Sequence, residues 1–301
     1  MVKVSVIIPT YNRSQTVSKT IKSVLNQTYQ DFEIIIVDDN SSDNTEFIIK
    51  SFSHFDSRVK YIKHNKNKGA PEARNTGIKN SKGDYIALLD DDDEWFPQKL
   101  EKQVKLFAKE SDDIGLIHCG YEKIDENGNI LIPKKKLKET GNMFYELLES
   151  NIIGSPTNLI RSECFKKIGY CDVQLKSCQD WDLWIRISKH YKINYIPEIL
   201  ARYNVSDVSI SKNIDSVLSG HKQILDKYFL YICKNNKIHS KHMKDIGLLY
   251  LHKGDYSKSL KYLTLSIHYN PLNWKSVINY LTIRFFKKSA GNYLRLVKNL
   301  I

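Results

Sequence analysis

The first ninety residues alternate between short apolar runs and amphipathic segments, and this alternation constrains the fold more than any other feature. The apolar runs have strand length, and the segments between them repeat their apolar residues at helical spacing. The predicted strands are residues 2–9, 32–37, 59–62 and 85–89, with predicted helices at 14–27, 45–52 and 72–80. Such alternation is typical of a mainly parallel sheet flanked by helices. We therefore predict an α/β fold.

Five consecutive acidic residues, Asp90 to Glu94, follow the fourth apolar run. Like charges this close repel one another unless a cation neutralises them. In α/β folds, ligands bind at the carboxyl ends of the strands, where this cluster is expected to lie. Hard divalent cations such as Mg²⁺ and Mn²⁺ bind carboxylate and phosphate oxygens. The cluster predicts a metal–diphosphate site, and a solvated acidic loop is the plainer alternative.

The sequence lacks the familiar loops that bind phosphate without a metal. No Gly-x-Gly-x-x-Gly follows the first strand, which argues against a dehydrogenase-type dinucleotide fold. No Gly-x-x-x-x-Gly-Lys-Ser/Thr occurs either, which argues against a P-loop NTPase. An EF-hand is excluded because Trp95 stands where the calcium loop requires glycine. A metal remains the expected partner of the phosphates.

Two further acidic positions stand at the end of a predicted strand or the start of a predicted helix. Asp39 follows the second strand, where helix capping explains the nearby Asp43 better, so Asp39 is a ligand candidate. Asp180 opens a predicted helix, where the helix dipole alone could explain an acid. Trp181 and Trp184 beside it could exclude water and raise the pKa of Asp180 toward that of a useful base.

The net charge of +12 lies entirely in the last third of the chain. Residues 201–301 contain 17 Lys and Arg against 5 Asp and Glu, so the first 200 residues are neutral overall. Basic surface of this kind attracts anionic lipids, nucleic acids or acidic glycans. We predict contact with an anionic membrane surface through this third and expect no nucleic-acid partner. A merely solvated helical appendage is the alternative.

Residues 206–301 are predicted to form a basic helical extension. Gly247, Tyr250, Leu263 and Pro271 have the spacing of one tetratricopeptide-like helical pair, although stable arrays of such repeats need about three. Five cysteines without a Cys-x-x-Cys pair indicate reduced thiols, and Lys3 begins a strand-like run where a secretory leader would lie. We therefore predict a cytoplasmic protein that associates peripherally with the inner face of a membrane.

Five segments, taken together and in order, resemble glycosyltransferase family 2. They are Val-Ile-Ile-Pro-Thr-Tyr-Asn-Arg (6–13), Ile-Val-Asp-Asp-Asn-Ser-Ser-Asp-Asn-Thr (36–45), Gly-Ala-Pro-Glu-Ala-Arg-Asn-Thr-Gly (69–77), Leu-Leu-Asp-Asp-Asp-Asp (88–93) and Gln-Asp-Trp-Asp-Leu-Trp-Ile-Arg (179–186). The resemblance implies a GT-A catalytic domain over residues 1–205, with a nucleotide-binding half (1–110) and an acceptor-binding half (111–205). It also implies inversion at the anomeric carbon of a nucleotide-sugar donor.

The resemblance assigns the nucleotide-binding residues by matching motifs. The turn formed by Pro9, Thr10, Tyr11 and Asn12 would hold the nucleoside, and Asp39 would face the edge of the base, uracil being the expected one. Arg74 matches an arginine that approaches the nucleotide from the next helix.

The resemblance also assigns the metal ligands and the base. The Asp-x-Asp motif matches Asp90 and Asp92, with Asp92 as the direct ligand of Mn²⁺ or Mg²⁺, and Asp90 and Asp91 on the nucleotide side. The run of four aspartates also permits a register shifted by one residue. Asp180 matches the general base. Gln179 departs from the family, which commonly has an acid there, and the lost charge should lower the pKa of the base somewhat.

The sequence therefore predicts an inverting, metal-dependent hexosyl- or N-acetylhexosaminyltransferase. Its predicted donor is a UDP-sugar, and its predicted acceptor is a hydroxyl of a glycan or lipid-linked molecule in surface polysaccharide synthesis. One alternative is a nucleotidyltransferase, which should carry a Gly/Lys/Arg-rich triphosphate loop after the first strand, where this chain offers only Arg13. The other is a non-catalytic nucleotide-sugar or glycan-binding module, which should have lost its base or metal motif.

Overall fold

The computed structural model of the chain describes residues 3–125, 128–132, 140–205 and 213–285. The chain forms two compact units. The first comprises Met1–Leu147, Asn151–Val173 and Gln179–Ser206, and the second comprises Leu148–Ser150, Gln174–Cys178 and Asp207–Ile301. The division at residues 205 and 206 stays a prediction, because residues 206–212 lie outside the described ranges.

The first half of the first unit has the strand–helix alternation that the sequence predicts. Its elements are β1 (Val4–Thr10), α1 (Val17–Leu25), β2 (Phe32–Asp38), α2 (Thr45–Phe55), β3 (Val59–Lys63), α3 (Ala70–Lys79) and β4 (Tyr85–Leu88). Every residue of β1, β2 and β4 is buried, as expected for strands covered by helices on both faces. Val2, included in the first predicted strand, lies outside the described residues.

The second half of this unit is less regular. Its elements are β5 (Glu94–Trp95), α4 (Lys99–Phe107), β6 (Ile114–Ile124), β7 (Ile130–Ile132), α5 (Phe144–Glu149), a 3₁₀ turn (Ser155–Thr157), β8 (Leu159–Arg161), α6 (Ser162–Ile168), α7 (Gln179–Ser188) and β9 (Lys192–Asn204). The helix predicted at Asp180 is therefore present as α7.

One sheet of nine strands connects the two halves, in the order β3-β2-β1-β4-β8-β6-β9-β5, with β7 added beside β6. Strands β1 to β4 are mutually parallel, whereas β8 is antiparallel to both β4 and β6. Strand β8 therefore runs against its neighbours, and β6 and β9 beyond it run in the same direction as β1 to β4. The predicted α/β class is confirmed, with a mixed second half.

The last strand in the chain, β9, is longer than its sequence indicates. Proline usually ends a strand, so the sequence predicts an edge strand that stops before Pro197. In the structure β9 continues to Asn204, because the register with β6 shifts around the proline. Ile196 pairs with Cys119 and Ile199 with Gly120, so Pro197 lies in an irregularity that needs no amide donor.

The described part of the second unit is helical. Its helices are α8 (Ile214–Lys227), α9 (Phe229–Ile232), α10 (Asn236–His252), α11 (Tyr256–Tyr269) and α12 (Trp274–Phe285). Gly247 allows α10 to approach α11, since a Cβ atom there would lie 3.1 Å from Leu263 Cγ and 3.3 Å from the Ser259 carbonyl oxygen. The tetratricopeptide-like assignment of this pair stays a prediction. Over the described ranges, every helix is too short or too polar to span a bilayer.

Candidate active site

The acidic residues leave the sheet where β4 ends. The main-chain amide and carbonyl of Leu88 both bond to the side chain of Asn158, at 2.8 and 2.9 Å, and Leu89 behind them is fully buried. The next four residues alternate in environment: Asp91 and Asp93 are buried, and Asp90 and Asp92 are half-buried.

Two arginines contact these carboxylates. Arg74 donates from Nη2 to Asp90 Oδ1 at 2.6 Å, and Ser155 Oγ donates to the other oxygen at 2.9 Å. Arg13 Nε lies 3.4 Å from Asp91 Oδ1, and its Nη2 lies 3.8 Å from Asp92 Oδ2. Arg13 lies in the turn after β1, and Arg74 lies on α3, the helix that precedes β4. The predicted approach of Arg74 to the nucleotide stays a prediction, and the contacts of both arginines with the acidic residues were not predicted.

The carboxylates outnumber these cations, and their pKa values reflect the excess. Burial and the neighbouring Asp92 raise the pKa of Asp91 to about 7, against the opposing effects of Thr10 and Arg13. Burial and Asp90 raise the pKa of Asp92 to about 6. A divalent cation would favour the ionised form of both groups, so the residues present fit a metal.

The other two acids of the run have structural contacts. Asp93 is fully buried, and its Oδ1 accepts from the Asn204 amide at 3.0 Å. Glu94 is half-buried in β5, and its Oε1 accepts from Asn204 Nδ2 at 3.2 Å. Across the described ranges, no three His, Cys, Asp or Glu side chains are arranged to hold a metal ion. The two predicted ligands would therefore need oxygens from a substrate.

Asp39 is buried at the end of β2 and organises the loop before α3. Its Oδ1 accepts from the Lys68 amide at 2.8 Å and lies 2.7 Å from His64 Nδ1, and its Oδ2 accepts from the Gly69 amide at 2.6 Å. His64 also contacts Thr76 through Nε2, at 2.9 Å. A carboxylate has about four acceptor positions, so these three contacts leave one for a ligand. The role of His64 was not predicted, because an isolated histidine after a strand carries no motif.

The turn after β1 is joined to the turn after β2. Pro9 and Thr10 are buried within β1, whereas Tyr11 is 47% exposed. Asn12 has a φ of 52°, a left-handed conformation that asparagine tolerates better than most residues. Its amide donates to Ser41 Oγ at 2.9 Å, and its Oδ1 accepts from the Ser42 amide at 2.9 Å. The predicted nucleoside-binding turn and Asp39 thus lie at the same edge of the sheet.

Asp180 lies in the first turn of α7. Burial raises its pKa above the ordinary value, and the hydrogen bond from Asn151 Nδ2, at 3.1 Å to Oδ2, opposes that rise. Trp181 and Trp184 are almost completely buried. The contribution of Asn151 could not be predicted, because it comes from a loop without a recognisable motif.

Arg74 relates Asp180 to the acidic loop. Burial works against the charge of this guanidinium, and the carboxylates of Asp90 and Asp180 favour it. Conversely, Asp180 is influenced by both Arg74 and Asp90. The site therefore contains a cluster of acids suited to a metal and, around the same arginine, a separate carboxyl group that holds its proton more tightly than usual.

Comparison with known proteins finds glycosyltransferases that are similar to most of the chain. The model of the family "Glycosyl transferase family 2" matches residues 5–169. The UDP-Glc:alpha-D-GlcNAc-diphosphoundecaprenol beta-1,3-glucosyltransferase WfgD of Escherichia coli is 37% identical over 215 residues, which cover 70% of this chain and 80% of that protein. An uncharacterised glycosyltransferase of Rickettsia bellii is 39% identical over 203 residues, 67% of this chain but 29% of that longer protein.

The fold also matches that of a solved enzyme. The mannosyltransferase PcManGT of Pyrobaculum calidifontis, solved in complex with GDP-Man and Mn²⁺, superposes with a TM-score of 0.61 at 17% identity. The match covers 99% of this chain and 80% of that one. The GT-A fold predicted from the sequence is confirmed by this likeness.

Proposed function

Because the chain belongs to glycosyltransferase family 2, we propose that it transfers a hexosyl or N-acetylhexosaminyl group from a UDP-sugar, with inversion, to a hydroxyl of a lipid-linked or polysaccharide acceptor. The name of WfgD supports this choice, since that enzyme uses UDP-glucose and a diphosphoundecaprenol-linked sugar. The pathway would be the synthesis of a cell-envelope glycan.

The observation that carries the proposal is that Arg74 contacts Asp90 of the acidic loop and is also influenced by the charge of Asp180. An inverting transfer needs one base for the acceptor and a separate charged site for the departing diphosphate. Arg74 donates a hydrogen bond to Asp90, and the charge of Asp180 also acts on this arginine, which fits these two roles. A binding module would need neither a carboxyl group with a raised pKa nor a second acidic site beside it.

The donor nucleoside would bind at the edge formed by the first two strand ends. The remaining acceptor position of Asp39 suits the N–H group of uracil, and the exposed ring of Tyr11 offers a surface for the base. Thr10 and Asn12 would hold the turn, with Pro9 fixing its start. The absence of a glycine-rich or lysine-rich triphosphate loop after β1 disfavours the alternative nucleotidyltransferase reaction.

Asp92, assisted by Asp90, would hold Mn²⁺ or Mg²⁺ together with the donor phosphates. Support comes from the raised pKa of Asp92 and from the Mn²⁺ in the complex of the similarly folded PcManGT. When bound, the cation supplies Lewis-acid stabilisation of the negative charge on the departing diphosphate. Arg13 would offset the negative charge of Asp91, and Arg74 would offset that of Asp90.

Asp180 would accept the proton of the acceptor hydroxyl. As that oxygen forms its bond to the anomeric carbon, the bond from this carbon to the diphosphate oxygen breaks, and its electron pair leaves with UDP. The raised pKa of Asp180 makes it a stronger base once ionised, and Asn151 orients the carboxylate. A single displacement of this kind inverts the anomeric configuration.

The test is transfer of a labelled sugar from UDP-sugar donors to lipid-linked acceptors, comparing wild type with Asp180→Asn. The variant should lose about 10²–10⁴-fold in turnover and still bind UDP, because the base acts on the acceptor. Glu163 is exposed on α6, so Glu163→Gln is the matched control, and this variant should transfer sugar at the wild-type rate. Turnover of Asp180→Asn close to wild type would remove Asp180 from this role.

We also propose that the basic C-terminal third associates with an anionic membrane surface, where lipid-linked acceptors reside. Its excess of 12 positive charges supports this. Sedimentation with vesicles at low salt should recover more protein with anionic than with neutral lipid. Equal recovery would contradict the association.

A further inference from the structure

We propose that a cavity in the second, helical unit binds the phosphate ester of a phosphorylated sugar. The cavity has a volume of about 290 Å³. It lies between one face of α10 and the start of α12. The lining residues that matter here are Glu149, Lys237, Lys241, Lys244, Trp274 and Lys275.

Lysines dominate the charge of this cavity. Three of them recur on α10 at positions i, i+4 and i+7, which places them on one face of the helix. The fourth, Lys275, is the second residue of α12. The opposing carboxylates are Glu149, whose Oε2 lies 3.2 Å from Lys237 Nζ, and Asp245, which pairs with Lys241 and lies 3.5 Å from Lys244 Nζ. Four cations thus face two anions, so the cavity has a net positive charge.

Two of the four lysines are largely shielded from solvent, whereas Lys237 and Lys275 are exposed. The side chain of Lys244 is 13% exposed and that of Lys241 is 28% exposed. Burial lowers the pKa of Lys244, and the charges of Lys241 and Lys275 lower it further, against the effect of Asp245. A bound anion would relieve this repulsion. The described residues that line the cavity include no arginine, and lysine binds phosphate as a point charge.

The exposed side chain of Trp274 indicates that the part of the ligand attached to the phosphate is a sugar ring. Trp274 is 64% exposed, whereas Trp95, Trp181 and Trp184 are each at most 4% exposed. The Nζ atom of Lys275 lies 5.8 Å from the centre of its ring, so a cation and an open aromatic face are adjacent. Such a face suits the apolar side of a sugar ring, and the side chain of Asn270 beside it can hydrogen-bond hydroxyl groups. The volume is at the lower end for small-molecule sites, which fits one phosphorylated monosaccharide.

The experiment is calorimetric titration of the full chain with glucose 1-phosphate, glucose and inorganic phosphate. Glucose 1-phosphate should bind, and glucose should not. Lys241→Met and Lys275→Met should each weaken glucose 1-phosphate binding by about tenfold, the loss of one charge-assisted contact. Lys261→Met, an exposed change on α11 outside the cavity, is the matched control and should bind like the wild type. Lys275 is itself exposed, so its variant should fold normally, which circular dichroism checks.

Trp274→Ala separates the two halves of the ligand. It should weaken glucose 1-phosphate and leave inorganic phosphate unchanged. Equal affinity of glucose 1-phosphate for Lys275→Met and Lys261→Met would overturn the proposal. The proposal would also fail if glucose 1-phosphate did not bind. If phosphatidylglycerol vesicles then bound the wild type but not Lys275→Met, the anion recognised by the cavity would be a lipid headgroup.

Discussion

His242 of α10 should make the stability of the helical unit depend on pH. Its side chain is 1% exposed, and its Nε2 donates to the Leu148 carbonyl oxygen at 2.7 Å. Burial lowers its pKa from 6.5 to about 4, with His221 and Lys241 acting in the same direction and Leu148 and Asp245 opposing. The folded unit therefore holds this ring neutral at pH values where the unfolded chain protonates it.

The sign and size of the effect follow from these two pKa values. Between pH 6.5 and pH 4 the unfolded state binds one more proton than the folded state, so acidification favours unfolding. The stabilisation is complete above pH 6.5 and is lost as the pH falls toward 4. A difference of 2.5 pKa units corresponds to about 3 kcal/mol as an upper bound.

The perturbation is His242→Gln, whose amide nitrogen can replace the Nε2 donor but does not titrate. Urea denaturation of the full chain, followed by circular dichroism between pH 7.5 and pH 4.5, measures the free energy of unfolding. The wild type should lose up to about 2.5 kcal/mol more than the variant over this range, because at pH 4.5 the folded state has begun to protonate as well. His252→Gln, at an exposed position of the same helix, is the control and should follow the wild type. Parallel pH curves for wild type and His242→Gln would refute the reasoning.

Three further results are expected in the first unit. Gly77→Ala should destabilise the protein by about 1–3 kcal/mol, because the new Cβ would lie 2.2 Å from Ile7 Cγ2. In urea denaturation the loss should be partly recovered when Ile7→Ala is added, and strictly additive losses would argue against this clash. Asn151→Ala should move the acid limb of the pH–rate profile to higher pH, because the hydrogen bond that favours the ionised form of Asp180 is lost; an unmoved limb would count against Asp180 as the base. EDTA should weaken UDP binding by the wild type in calorimetry, and Asp92→Asn should bind UDP with Mn²⁺ as weakly as the wild type does with EDTA. UDP affinity that is indifferent to EDTA would contradict the metal site.

The alternating half of the fold could be predicted because its information is local. Strands β1, β2 and β4 are mainly apolar runs, and every residue in them is buried. The extension of β9 past Pro197 could not be predicted in the same way. It depends on pairing with β6, whose residues lie about eighty positions earlier in the chain and accommodate the proline by a shift in register.

In the candidate site, too, features encoded by local sequence could be predicted, and contacts between distant segments could not. The acidic residues were found because strand ends and charge runs are visible in the sequence, and the family resemblance supplied their roles, which remain predictions. The partners of those acids were missed. His64 beside Asp39 and Asn151 beside Asp180 are brought in by contacts between segments 25 and 29 residues apart, and neither carries a motif of its own.

Asn158 has a consequence for how the acidic loop could vary. Its side-chain amide donates to and accepts from the main chain of Leu88, which reproduces the paired bonds that a neighbouring strand residue would make. The main-chain bonds of Leu88, the last residue of β4, are thereby satisfied on the side that faces β8. The acidic residues therefore follow a strand whose main-chain bonds are already satisfied, so changes confined to Asp90, Asp91 and Asp92 should leave the pairing of β4 intact.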